Sequence, residues 1–168
     1  MENCERTLER IQAGIALLQT NPKAAEAFQF MNRAMWQQRI HSIYAEFKRQ
    51  GKDIDTSAID VEPNRSWDTF QLAFILLNLP SLTNLHDAER CHPTEAIADL
   101  LWLPTGGGKT EAYLGLTAYN IGLRRLQGTI AGRSGDAGVA VLMRYTLRLL
   151  TLQQNGTRGY APSIRPQP

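Results

Sequence analysis

Cysteine is scarce in this sequence of 168 residues, which holds only Cys4 and Cys91. Two thiols that far apart exclude a disulfide framework and a structural zinc site built on cysteine spacing. Long apolar runs are lacking as well. None approaches the roughly 20 residues that a membrane span needs, so no membrane partner is expected. The opening residues, Met1-Glu2-Asn3-Cys4-Glu5, are acidic and have no apolar core, which argues against a secretory signal and for a cytoplasmic location. Acids are rare late in the chain: after Lys109 only Glu111 and Asp136 occur, and neither closes an apolar strand. His86, Cys91 and His92 form a loose group that reads as solvated loop residues rather than as a metal site.

With 43% hydrophobic and 20% charged residues and a formal net charge of +2, the composition is that of about one soluble globular domain. The charge is uneven. From Ile121 onward there are seven arginines (124, 125, 133, 144, 148, 158 and 165) against the single acid Asp136, a local balance of +6. Such a half suits a polyanion, or else forms a solvated basic face.

Apolar residues at Leu8, Ile11, Ile15 and Leu18 predict an amphipathic helix from about Asn3 to Thr20. Asn21-Pro22 stops it and starts another. Asparagine is a good N-cap and proline suits the first helical position, so a second helix is expected from Pro22 to about Gln50, ended by Gly51. Its stripe of Ala24, Phe28, Met31, Met35, Trp36, Ile40, Ile43 and Phe47 reads as core packing. Residues 1–50 are thus a helical N-terminal segment, and the polar stretch 51–66 is a linker. Trp67 to Leu79 is a strongly apolar helical stretch holding two amides, Gln71 and Asn78. Gln71 either reads an adenine edge or is a plain helix-surface glutamine. Residues 80–97 read as a long loop.

The chemistry is concentrated in Pro104-Thr105-Gly106-Gly107-Gly108-Lys109-Thr110. The run Leu100–Leu103 before it reads as a buried strand of a parallel sheet, and a helix is expected from Lys109 to about Gln127, with Leu114, Ala118, Ile121 and Leu126 on its inner face. Three glycines let backbone N–H groups curl around a phosphate. Lys109 would reach the terminal phosphates of ATP, Thr110 would coordinate Mg²⁺, and the helix start adds its positive end. The glycine that would precede the Gly-Lys-Thr with four residues between is missing, since Leu103 stands where it would be; the stretch matches the Thr-Gly-x-Gly-Lys-Thr variant instead. A flexible glycine-rich loop, 128–138, leads to Val139–Met143, read as a second buried strand. Strand, helix and strand would make a right-handed βαβ unit. Arg144, Thr146 and Arg148 would then stand beyond the carboxyl end of the second strand, placed to hold nucleic-acid phosphates.

Leu101–Tyr119 and Val141–Gln154 together resemble the first RecA-like motor domain of superfamily-2 helicases, and more closely the large helicase-related proteins of bacterial DISARM anti-phage defence. The resemblance implies an α/β fold, a P-loop NTPase (RecA-like) parallel sheet with helices, present as a partial domain over 67–154 with its P-loop at 104–110. It implies an ATP and Mg²⁺ site made of Thr105, Gly106, Gly107, Gly108, Lys109, Thr110 and Glu111, with Gln71 on the adenine. Lys109 and Thr110 would carry the catalytic work, Thr110 as the metal ligand. The partners implied are DNA, gripped through its backbone by Arg144, Thr146 and Arg148, and other proteins of the defence system. The acidic motif of such motors and the second motor domain with its arginine finger are not found here, and residues 155–168 turn abruptly to glycine, proline and polar residues. The expectation is a truncated reading of a longer motor, shifted near Gln154, that binds nucleotide without hydrolysing it. A nucleotide-binding interaction module is the alternative. A small nucleotide kinase fits less well, because little chain follows Thr110 to supply a lid.

Overall fold

The computed structural model describes residues 2–104 and 106–144. Two long helices open the chain, α1 (Glu2–Thr20) and α2 (Pro22–Arg49), separated by Asn21, whose side chain accepts from the Ala24 N–H at 3.1 Å. A short helix α3 (Thr56–Ile59) and a 3-10 turn (Glu62–Asn64) lie against α2 within the stretch read as a linker. Then come α4 (Thr69–Thr83), the short α5 (Ala88–Cys91) and α6 (Lys109–Gln127). α4 runs through Pro80 and so extends into the stretch expected to be loop.

α1 packs on α4, and α2 and α4 both pack on α6. Ala24, Ala27, Met31 and Met35 of α2, Ile75 and Leu79 of α4, and Tyr119 and Leu123 of α6 form one core. The buried Tyr119 hydroxyl is 2.7 Å from the Thr83 hydroxyl, and burial pushes that phenol above its ordinary range. Glycines set the helix spacings. A Cβ on Gly14 would lie 2.1 Å from the Leu76 carbonyl oxygen, one on Gly115 3.0 Å from the Trp67 ring, and one on Gly122 2.8 Å from Phe30. Arg10 of α1 reaches Asp99 with two bonds of 2.7 Å and Glu89 with one of 2.9 Å, tying the approach to residue 100 to the first helix.

The parallel sheet is not there among the described residues. Among the described residues the strands are β1 (Thr129–Ile130) and β2 (Arg133–Ser134), a two-stranded antiparallel ribbon paired Thr129 with Ser134 and Ile130 with Arg133. Leu100–Leu103 and Val139–Met143 are neither strands nor buried: Leu100 is 84% exposed, Trp102 83%, Val139 81% and Leu142 79%. The α/β, P-loop NTPase (RecA-like) fold expected from the sequence is therefore corrected to a helical one. The physical reason is pairing. An apolar run becomes a strand only when another strand takes its N–H and C=O groups. Here α6 is covered instead by two helices, and its buried face is Ala112, Gly115, Tyr119 and Leu123, whereas Ile121 is 38% exposed.

Candidate functional site

α6 starts where Gly108 adopts a left-handed conformation (φ +78°), which frees the first-turn N–H groups at the loop. Gly106 is left-handed as well (φ +85°), and the Gly107 N–H bonds the Pro104 carbonyl at 3.1 Å. Side chains would not fit this path: a Cβ on Gly108 would sit 2.7 Å from the Gln71 amide nitrogen, and one on Gly107 3.1 Å from the Pro104 oxygen. The stretch thus has the curled backbone, the lysine and the hydroxyl at a helix start that a phosphate ligand requires. The Lys109 ammonium folds back to donate to the carbonyls of Leu103 and of Pro104, the latter at 2.8 Å. A phosphate would draw it off those two oxygens.

The loop opens on a cleft of about 1210 Å³ bounded by α2, by residues 63–71 and by the first turn of α6. Gly106, Gly107, Gly108, Lys109, Thr110 and Glu111 line it, and so does Gln71 from the start of α4. Both ends of the Gln71 amide are engaged within the protein. Its oxygen accepts from the Asp68 N–H and its nitrogen donates to the Gly108 carbonyl, each at 2.9 Å, and the residue is only 5% exposed. Gln71 therefore ties the loop to the N-terminus of α4. Asp68 also lines the cleft near the loop, since a Cβ on Gly108 would lie 3.7 Å from its carboxylate. Sequence reading missed Asp68; its place as N-cap of α4, three residues before Gln71, was the available signal. Trp67, whose indole N–H donates to the Asn32 side chain at 2.8 Å, lies on the same wall.

The basic half is less free than its composition suggests. Arg124 donates to the carbonyls of Ala137 and Val139 at 2.9 Å each, and Arg125 to that of Gly135, so both hold residues 135–139 against the end of α6. Arg133 and Arg144 are exposed. Thr105, Thr146 and Arg148 lie outside the described residues. Among the described residues no group of histidine, cysteine and carboxylate side chains is arranged to hold a metal, and no helix is long and apolar enough to cross a membrane.

No protein-family model matches the sequence. One curated relative does, over nearly the whole chain. The chain is similar to DISARM protein DrmA. In the protein of that name from Bacillus paralicheniformis, 47% of residues are identical over 160 positions, which is 92% of this chain and 13% of the relative. The chain thus spans about an eighth of the length of DrmA, and a match over 92% of it takes in the glycine loop and the cleft.

Proposed function

We propose that this chain provides the nucleotide-binding element of a DNA helicase or translocase acting, like DrmA by its name, in a DISARM anti-phage system. The observation that supports the reading is a Gly-Gly-Gly-Lys-Thr turn, left-handed at Gly106 and Gly108, at the start of a helix of 19 residues that opens on a cleft. Mg·ATP is the ligand that fits. Backbone N–H groups of 106–110 surround its outer phosphates, Lys109 neutralises their charge, and the exposed Thr110 hydroxyl is the metal ligand. Bound ATP supplies the free energy of a cleavable phosphoanhydride. The chain's own residues bind and orient it, Thr105 as part of the motif, Glu111 beside the loop and Gln71 tying the loop to α4. Arg144, Thr146 and Arg148 are the residues for a DNA backbone, and other defence-system proteins are the partners.

Cleavage needs carboxylates that hold Mg²⁺ and place water. Asp68 and Glu111 reach this cleft, and among the described residues no strand ends in paired acids. The chain on its own is therefore a binder without turnover.

Titrating a fluorescent ATP analogue with Mg²⁺ into the purified chain tests this. Saturable binding is expected, weakened at least 100-fold in Lys109→Ala, because that change removes the charge-assisted contact to the phosphates. Equal binding by both proteins would remove the loop from the account.

A further inference from the structure

The cleft has a wall that the phosphate loop does not explain. α2, which the sequence presents as a helix of a separate segment, lines it with Asn32, Trp36 and Arg39, successive turns of one helix face. The cavity of about 1210 Å³ exceeds the roughly 300–1,000 Å³ of ordinary small-molecule pockets, so a ligand held only at 106–110 would leave much of it open.

The three cations on the lining are not equivalent. Lys109 rests on the carbonyls of Leu103 and Pro104, and Arg65 is 3.3 Å from the Asp60 carboxylate. Arg39 is exposed, and among the described residues no carboxylate pairs with it. It stands one turn beyond Trp36, which is 40% exposed and held in place by the bond of its indole N–H to Asp60 at 2.9 Å. The distance between this wall and the loop is fixed, because α2 and α6 are locked through the shared core and through the contact of Phe30 with Gly122.

We propose that α2 is the second wall of a polyphosphate clamp, with Arg39 the guanidinium that takes the phosphate chain from the side opposite the 106–110 loop. The inference rests on the reading of that loop as a phosphate site and adds a residue to it from the N-terminal helices. A guanidinium suits the task, since it stays charged and can bind two phosphate oxygens at once. Its place on a packed helix means that the backbone is already fixed and only the side chain has to be ordered on binding.

The probe is inorganic tripolyphosphate with Mg²⁺, followed by tryptophan fluorescence in the full chain and compared with ATP. Wild-type protein is expected to show a fluorescence change that saturates, and Trp36→Phe, which leaves Trp67 in the cleft, to lose part of it while still binding. Arg39→Gln is expected to weaken tripolyphosphate and ATP alike by about tenfold, the effect of one charge-assisted contact, with partial recovery in Arg39→Lys. Melting temperatures of the Arg39 variants should match wild type, because the side chain is exposed and its helix intact. Unchanged affinity in Arg39→Gln, with binding still lost in Lys109→Ala, would overturn the clamp and leave the loop standing. Absence of tripolyphosphate and ATP binding in the wild type would overturn the loop reading and the clamp with it.

Discussion

Gly108→Ala is expected to abolish binding of Mg·ATP while leaving most of the helical fold in place. Two effects coincide at this residue. Its φ of +78° is a conformation that costs an alanine about 1 kcal/mol or more. The added Cβ would also come within 2.7 Å of the Gln71 amide nitrogen. That nitrogen is buried and bonded to the Gly108 carbonyl, so displacing it leaves a polar group unsatisfied, at about 1–3 kcal/mol. The loop must then leave its path, and the first-turn N–H groups of α6 leave with it. Gly106→Ala is the informative comparison. Its φ of +85° is equally unfavourable, but no atom lies within 4 Å of the added carbon, so an intermediate loss of affinity is expected. Titration of both variants with the fluorescent nucleotide, beside their circular dichroism, checks the order wild type, Gly106→Ala, Gly108→Ala. Wild-type affinity in Gly108→Ala would mean that the curled backbone is not what the ligand uses.

Gly14→Ala is expected to have the largest effect on stability. The new Cβ would lie 2.1 Å from the Leu76 carbonyl oxygen and 2.8 Å from its carbon. These are backbone atoms of the middle of α4, and they cannot turn aside as a side chain would. α1 has to move off α4, and the contacts of Leu17, Leu18 and Leu76 with the core loosen. Overpacking of this kind costs about 3 kcal/mol, which for a chain of this size lowers the melting temperature by roughly 6–12 °C. Thermal unfolding by circular dichroism measures it directly. A melting temperature unchanged from wild type would show that α1 does not approach α4 this closely.

The same glycine explains where sequence reading fell short. The helix ends were legible from local chemistry: Asn21-Pro22 divides α1 from α2, and Gly51 and Gly128 follow the ends of α2 and α6. The glycine loop was legible as well, because its residue types are set by chemistry at one place in the chain. The buried stripe of α2 was legible too, with Ala24, Met31, Met35 and Ile40 inside, whereas the faces of α1 and α6 were only partly so. Leu8 and Ile15, assigned to the inner face of α1, are 55% and 43% exposed, since the face that meets α4 is centred on Gly14, which has no side chain to weigh in an apolar pattern. On α6, Leu114, Ala118 and Leu126 do pack against the core as expected, while Ile121 is 38% exposed and the deepest positions, Gly115 and Tyr119, again carry no mark in an apolar pattern. Leu100–Leu103 and Val139–Met143 have the composition of buried strands, but a strand is a property of a pair. The glycine-rich stretch after α6 was expected to be loop, and a short ribbon forms within it, closed by the Gly135 N–H on the Gly128 carbonyl at 2.8 Å. The bond from Gln71 to Gly108 joins residues 37 apart in sequence, and only the fold brings them together.

Backbone amide exchange, measured with and without saturating Mg·ATP, locates the ligand without any substitution. Slowed exchange confined to residues 106–111 and to the cleft wall around Trp36 and Arg39 is the result expected of a nucleotide held between the glycine loop and α2. Slowed exchange elsewhere, with 106–111 unaffected, would contradict it.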